Sequence, residues 1–416
     1  MISLAKINHP KIIIFFTLFF FLGWFFSFFN LHPKVTYGIY FLSFVLVIVI
    51  QKTGLRYIDK WLYLSMLTVI PSAFIGIFLG WEIIDILADI SRYIAPILGF
   101  SAANILLRKF DYESLLNIIF AIFGYQLILY YYSLSLKIAH VISGGLIIEY
   151  AKNGLEVMTL WSLVAYFFIS NKIVKGFMKI LLVGYFLGFI LNPILIMSKA
   201  RLLAVILAIG IIFLFYSRLK TKLILSGFII ITLFFLAIND NQVFARLYST
   251  IDLIKLQIYD IDPSTSYRFA EIYNILSMLF DKPYSIFFGY GSGAVFFDYH
   301  FPIEGGIDPA NYRENGGLHD IFFGPLVYLF RYGLLGFLFI SYFIKSNFSR
   351  LSSSNNDALQ NSLSASFKIF IIISVFADLF VPVHLYGSFE FGMYISIALL
   401  LQKKFVQEKG NYLTKC

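Results

Sequence analysis

Apolar runs recur along this chain at nearly the length of a bilayer crossing, separated by short basic gaps, and that pattern leaves few folds open. A helix needs about 20 predominantly apolar residues to span the hydrocarbon layer. Twelve candidate runs fall near 12–29, 36–51, 61–80, 93–107, 114–136, 158–171, 176–197, 202–216, 223–238, 319–343, 368–382 and 388–402. Of the 416 residues, 60% are hydrophobic and 13% charged, against about 45–50% and about 25% in soluble domains. A surface built from so few polar groups cannot face water all round. The expected fold class is therefore all-α, a polytopic integral membrane protein of about twelve transmembrane helices. The run at 12–29 follows Lys6 and Lys11, exceeds a signal-peptide core and lacks a small-residue cleavage site, so it reads as a retained first span.

The net charge of +9 does not point to nucleic acid, because the cations sit in the gaps between apolar runs instead of on one amphipathic element. Well over half of the 32 Lys and Arg lie in alternate gaps: Lys6/Lys11, Lys52/Arg56/Lys60, Arg108/Lys109, Lys172/Lys175/Lys179, Arg218/Lys220/Lys222, Lys345/Arg350/Lys368 and Lys403/Lys404/Lys409/Lys415. The other gaps carry single cations such as Lys34, Arg92 and Lys137, or acidic stretches such as 81–89. The positive-inside rule places the basic side, and both termini, in the cytoplasm. The single cysteine, Cys416, permits neither an intramolecular disulfide nor a cysteine-based metal site.

This divides the chain into 1–238, holding transmembrane helices 1–9 with an interfacial outer segment at 137–157; 239–318, a large outer loop; 319–402, holding transmembrane helices 10–12 with a polar, Ser/Asn-rich linker at 346–367; and a cytoplasmic tail at 403–416. Within the loop, Phe269, Ile272, Tyr273, Leu276, Leu279 and Phe280 recur at helical spacing. Asp262, Pro263 and Ser264 supply start signals and Pro283 a stop. An amphipathic helix over 265–281 is expected across the outer ends of the spans. Arg268 stands in its first turn, where it either snorkels to head groups or meets an anionic ligand.

The turn Gly289, Tyr290, Gly291, Ser292, Gly293 follows. No strand–turn–helix unit surrounds it, which excludes a dinucleotide site. It reads as a tight turn letting the backbone approach another element. The loop closes with His300, Glu304, Asp308, Arg313, Glu314, His319 and Asp320 in one polar segment. His319 suits a general base near neutral pH, and Asp320 suits the N-cap of the next span. The spacings of His300, His319 and the carboxylates match no metal-ligand pattern. Earlier, Ser198, Lys199, Ala200 and Arg201 fill a very short outer turn, and charges so near the bilayer either snorkel or serve function. Arg331 and Asp378 fall inside the tenth and eleventh runs and are expected to pair.

Together the Ser-Lys-Ala-Arg turn, the large outer loop, Tyr267–Arg268 leading a helix, Pro283 before a Gly-x-Gly turn, Leu318–His319–Asp320, and Arg331 through Gly336 (Arg-Tyr-Gly-Leu-Leu-Gly) resemble the bacterial O-antigen polymerase and O-antigen ligase superfamily. The motifs lie within 198–336. The resemblance implies a metal-independent glycosyltransferase without cofactor, in the bacterial inner membrane, with the loop periplasmic. Its donor would be an undecaprenyl-diphosphate-linked oligosaccharide. The acceptor would be another lipid-linked repeat for a polymerase, or lipid A core for a ligase, and a chain-length regulator would be the protein partner. By position, Lys199, with Arg201 next, takes the place of the family's short-turn arginine, and Asp320 stands where Asn commonly follows the histidine. Arg268 and Arg313 would join these cations in holding the diphosphate, since guanidinium offers fixed bidentate donors to phosphate oxygens. His319 would be the base that takes the acceptor proton, with Glu304, Asp320 and Glu314 as alternatives. Tyr290, Tyr299 and Tyr312 can stack on sugars. A polysaccharide flippase is the competing class, for which similar halves and broken helices would be the mark.

Overall fold

The computed structural model describes residues 60–142, 155–195, 199–216, 263–297, 317–319, 321, 323–351, 357–379 and 388–413. Among them the architecture is all-helical, with a lone antiparallel bridge between Phe296 and Leu318. The expected spans at 12–29, 36–51 and 223–238 lie outside the described residues.

The helices run α1 Lys60–Phe78, α2 Ile83–Leu107, α3 Tyr112–Ile142, α4 Leu155–Ser170, α5 Phe177–Leu195 and α6 Lys199–Ile211, which continues as a π-turn, Ile212–Tyr216. Beyond the next gap come α7 Pro263–Asp281, α8 Pro283–Phe288, α9 Gly324–Arg350, α10 Ala358–Asp378 and α11 Phe389–Leu413. Among the described residues, four helices are long and apolar enough to cross a membrane: α1, the first part of α3, α9 and α10. The outer face of α1 shows why lipid is the fitting solvent. Leu67, Phe74, Ile77 and Phe78 are all more than half exposed there, an apolar stripe that water would penalise and acyl chains would not.

The broadest interface joins α2 to α11. It is close because Gly99 faces the backbone of Phe389 and Gly392 faces the carbonyl of Pro96, leaving no room for a Cβ at either position. Where the solvent is as apolar as the side chains, such backbone approach is what drives association. α1 and α9 pack across aromatic side chains: Trp61 meets Phe343 edge-on at 5.2 Å, and Tyr93 of α2 stacks on Tyr332 of α9 at 4.0 Å.

Several boundaries differ from expectation, each for a local reason. The acidic stretch 81–89 is not a loop. α2 begins at Ile83, Asp85 lies in its first turn where negative charge suits the helix dipole, and both Asp85 and Asp89 are buried. The supposed interfacial segment 137–157 begins as the end of α3 and finishes as the start of α4, with 143–154 outside the described residues. The linker 346–367 is largely helical. Asp357 caps α10 by accepting from the amides of Leu359 and Gln360, and Ser362, Ser364 and Ser366 of this stretch are buried. Ser362 and Ser366 donate to the carbonyls of Ala358 and Ser362, at 2.6 and 2.8 Å, a pattern that lets serine sit inside a helix. The tail expected at 403–416 is helical through Leu413. Lys199 and Arg201 stand in the first turn of α6 instead of in a loop.

α9 breaks at Gly333, whose φ of 65° lies in the left-handed region. A Cβ there would strike the backbone of Phe287 and Phe288. Gly333→Ala is therefore expected to lower the thermal unfolding midpoint measurably, combining conformational strain of about 1 kcal/mol or more with steric conflict. Gly124→Ala in α3, where nothing lies within 4 Å, should be neutral or stabilising by contrast.

Candidate functional site

Residues 289–296 do not lie on a surface. They enter the bundle between α1, α2 and α9, and Ser292, Ala294 and Phe296 are fully buried. A backbone so placed must find partners for its polar groups. Tyr290 N donates to Phe330 O at 2.6 Å, and its carbonyl accepts from the Trp81 indole at 2.9 Å. Ser292 N donates to Ser72 O at 3.1 Å. The hydroxyls of Ser72 and Ser292 share a hydrogen bond at 2.8 Å, and Ser72 Oγ donates on to the carbonyl of Arg331 at 2.9 Å. Gly291, at φ 89°, rests on the backbone of Gly76 and Ser72. Only a residue without Cβ fits so close to the neighbouring helix, which is the structural use of this glycine turn. Gly289 and Gly293 take the same left-handed conformation at φ 76° and 81°.

The re-entrant turn ends on a buried charge cluster. Asp89 of α2 is fully buried, and both its oxygens are engaged. Oδ1 receives Arg331 Nη1 at 2.5 Å. Oδ2 receives the amide of Gly293 at 2.7 Å and faces His319 Nε2 at 3.4 Å. Arg331 also donates through Nη2 to the His319 carbonyl at 2.5 Å, and the Tyr332 hydroxyl donates to the Asp89 carbonyl at 2.7 Å. One carboxylate thus ties together α2, the glycine turn, the segment before α9 and α9 itself. Chemically, the arrangement is a histidine oriented by a carboxylate whose charge a guanidinium balances.

Arg331 had been expected to pair with Asp378, but its observed partner is Asp89. The Asp378 carboxyl packs instead against Gly324 at the start of α9. Asp320 had been expected to cap α9. The capping position belongs to Phe323, with Pro325 following in the first turn, and Asp320 lies outside the described residues. Pro263–Asp281, as α7, takes the place expected for the helix over 265–281. Its Glu271 is buried and accepts from the amide of Phe323 at 2.9 Å. That contact brings α7 to the end of the bundle where His319 lies. Arg268, one turn before Glu271 and so on a neighbouring face, is half-buried, and its Nε makes no hydrogen bond among the described residues.

Tyr290 cannot serve as a sugar platform. Its ring stacks on Phe330 at 5.2 Å, its hydroxyl donates to the Met278 carbonyl at 2.6 Å, and it is buried. Tyr299, Tyr312, His300, Glu304, Asp308, Arg313 and Glu314 lie outside the described residues, as do the side chains of Lys199 and Arg201. Among the described residues no group of three His, Cys, Asp or Glu is placed to hold a metal ion. Sequence reading passed over Asp89, Ser72 and Glu271. The available signal was Asp85 and Asp89 at helical spacing immediately ahead of an apolar run, the mark of a helix that starts early and carries its acids inward.

No family model matches the chain, and no curated protein matches it. The site is accordingly read from its own geometry.

Removing one partner of a buried ion pair leaves an uncompensated charge and costs about 3–5 kcal/mol. Asp89→Ala and Arg331→Ala are each expected to depress the thermal midpoint in detergent severely. The double variant Asp89→Leu/Arg331→Met should recover much of that loss, because apolar residues of similar volume can replace a buried pair. Additive losses in the double variant would show that the pair does not act as a unit.

Proposed function

We propose that this chain is a membrane glycosyltransferase that uses a polyprenyl-diphosphate-linked oligosaccharide donor and polymerises such repeat units into O-antigen or a related surface polysaccharide. The supporting observation is the juxtaposition at one end of the bundle. His319 is held against Asp89, and α7 is tied to the neighbouring Phe323 while carrying the half-buried Arg268 guanidinium, whose buried Nε makes no hydrogen bond among the described residues. The apolar helices supply the membrane setting for a lipid-linked donor.

In this reading the loop end of the bundle faces the periplasm, the chain has about twelve spans, and both termini are cytoplasmic. Arg268 holds the donor diphosphate, whose charge grows as the glycosidic bond to phosphate breaks. Arg313, Lys199 and Arg201 assist. His319 accepts the proton of the acceptor hydroxyl as that oxygen attacks the anomeric carbon, and Asp89 stabilises the imidazolium that forms. Asp320 and Glu304 are alternative bases. Arg331 acts by positioning: it fixes the His319 carbonyl and the Asp89 carboxylate together. A chain-length regulator is the expected protein partner.

A second reading, transport of a lipid-linked glycan, draws on the break of α9 at Gly333, since interrupted helices beside buried charges are a feature of transporters. A transporter would move the lipid-linked repeat without forming a new glycosidic bond.

The two readings, and the ligase variant of the first, separate on a gel of surface polysaccharide from a deletion strain. One repeat attached to lipid A core marks a lost polymerase. Bare core with carrier-linked polymer accumulating marks a lost ligase. Unextended repeats trapped on the cytoplasmic leaflet mark a lost flippase. In the polymerase case Arg268→Ala is expected to cut polymer formation by about 10²–10³ with insertion unchanged, and wild-type chain lengths from that variant would remove Arg268 from the mechanism. Cysteine labelling that placed 239–318 in the cytosol would overturn the whole scheme.

A further inference from the structure

α7 buries one face, made of Ala270, Glu271, Asn274, Ile275 and Leu279, at the spacing of a single helical stripe. Glu271, at 0% exposure, is the residue least suited to such a face, since a carboxylate taken out of water is costly unless hydrogen bonds receive it. The start of α9 receives it. Glu271 Oε1 accepts from the Phe323 amide at 2.9 Å. Phe323 is the N-cap of α9, so the carboxylate also meets the positive end of that helix's dipole. A charge-assisted bond of this kind is about twice as strong as a neutral one.

On one side the bond leads back to His319. The segment from Leu318 to Phe323 is held at Leu318, His319 and Phe323 among its described residues. Leu318 exchanges two backbone bonds with Phe296, at 2.9 and 2.8 Å. The His319 carbonyl accepts from Arg331 at 2.5 Å. These bonds fix the segment to the end of the glycine turn and to α9, and the bond from Phe323 to Glu271 fixes it to α7. On the other side the bond leads to Arg268, one turn before Glu271 and about 4.5 Å away along the axis. A second bond reaches α7 at its far end, from the Tyr290 hydroxyl to the Met278 carbonyl at 2.6 Å, about 10 Å along the axis from Glu271. A rod tied at its far end alone pivots there, and a pivot about Met278 displaces the Arg268 end most. The Glu271 bond opposes that motion.

We propose that Glu271 is a positioning residue, a latch between the helix that carries Arg268 and the segment that carries His319. Resting on the reading of Arg268 as the holder of the donor diphosphate and His319 as the base, this role answers a geometric need. Glycosyl transfer requires the guanidinium at the departing diphosphate and the imidazole at the attacking hydroxyl together. Their separation depends on two different stretches of chain, and Glu271 is a side chain that joins those stretches. Being fully buried, it acts through Arg268 and His319 and not on the substrate. A misplacement of about 1 Å between such groups costs on the order of 10²-fold in rate.

The test uses the full chain carrying C416S, which removes its single cysteine. Spin labels at Y273C and L335C, both exposed positions, on α7 and α9, report the distance between these helices in nanodiscs by double electron–electron resonance. Polymer is measured on gels of surface polysaccharide from a deletion strain complemented with each unlabelled variant at matched expression. E271A removes the acceptor and is expected to broaden the distance distribution and to cut polymer by about 10²-fold. E271Q keeps an oxygen that accepts from Phe323, and should restore a narrow distribution and most of the polymer. E271M, close to glutamate in volume, takes the place of E271A should the smaller residue prevent insertion. D357A loses the cap of α10 and controls for general destabilisation; it should leave polymer unchanged. An unaltered distance distribution in E271A overturns the latch, as does wild-type polymer from E271A while R268A yields none, or an equal loss of polymer from D357A. Wild-type polymer from R268A overturns the proposal through the reading beneath it, a failure told apart from the others because the distance measurement does not depend on activity.

Discussion

A fully charged guanidinium in the middle of an apolar bundle is tolerable only beside a carboxylate, and the pairing of Arg331 with Asp89 meets that demand here. The pair is also geometric. Arg331 spends its second terminal nitrogen on the His319 carbonyl, and Asp89 spends its second oxygen on the Gly293 amide and the face of His319. Once these bonds are made, α2, α9, the glycine turn and the segment leading into α9 have one mutual arrangement. An imidazole held this way has its orientation set by the scaffold.

The glycine turn shows the same economy in the backbone. Irregular chain at membrane depth survives where protein supplies its hydrogen bonds. Ser72, Trp81, Phe330 and Asp89 do so for Tyr290, Ser292 and Gly293. The break at Gly333 and the turn at Gly291 are paired features: one lets α9 yield to the backbone of α8, the other lets the turn lie against α1.

Much of the helical plan was legible in the sequence, because hydrophobic run length reports bilayer thickness directly. The start and stop signals around Pro263 and Pro283 frame α7. Arg331 and His319 stood out as polar residues among apolar neighbours. The partner of each was not legible. Asp89 lies more than two hundred residues away from both, and chain separation carries no information about which helices will lie side by side. Residues 81–89 and 346–367 were misread for one reason: polar composition was taken for loop. Asp85 and Asp89 are both buried, Asp89 paired with Arg331, and Ser362 and Ser366 of α10 bond their own helix. Composition alone does not distinguish a polar group facing water from one satisfied within the fold.

Those serines bear on how the protein is made. A hydroxyl that has already found a carbonyl one turn back presents little bare polarity to its surroundings. Ser362 and Ser366 therefore do not by themselves hinder a newly synthesised α10 from leaving the translocation machinery sideways into the hydrocarbon layer before α4 and α6, which it packs against in the finished bundle, have gathered around it. The bond of Arg331 to Asp89, by contrast, runs between two helices. The helices carrying them are at ease in lipid only after they meet, so α2 and α9 must find each other, a demand that Ser362 and Ser366 do not add to α10.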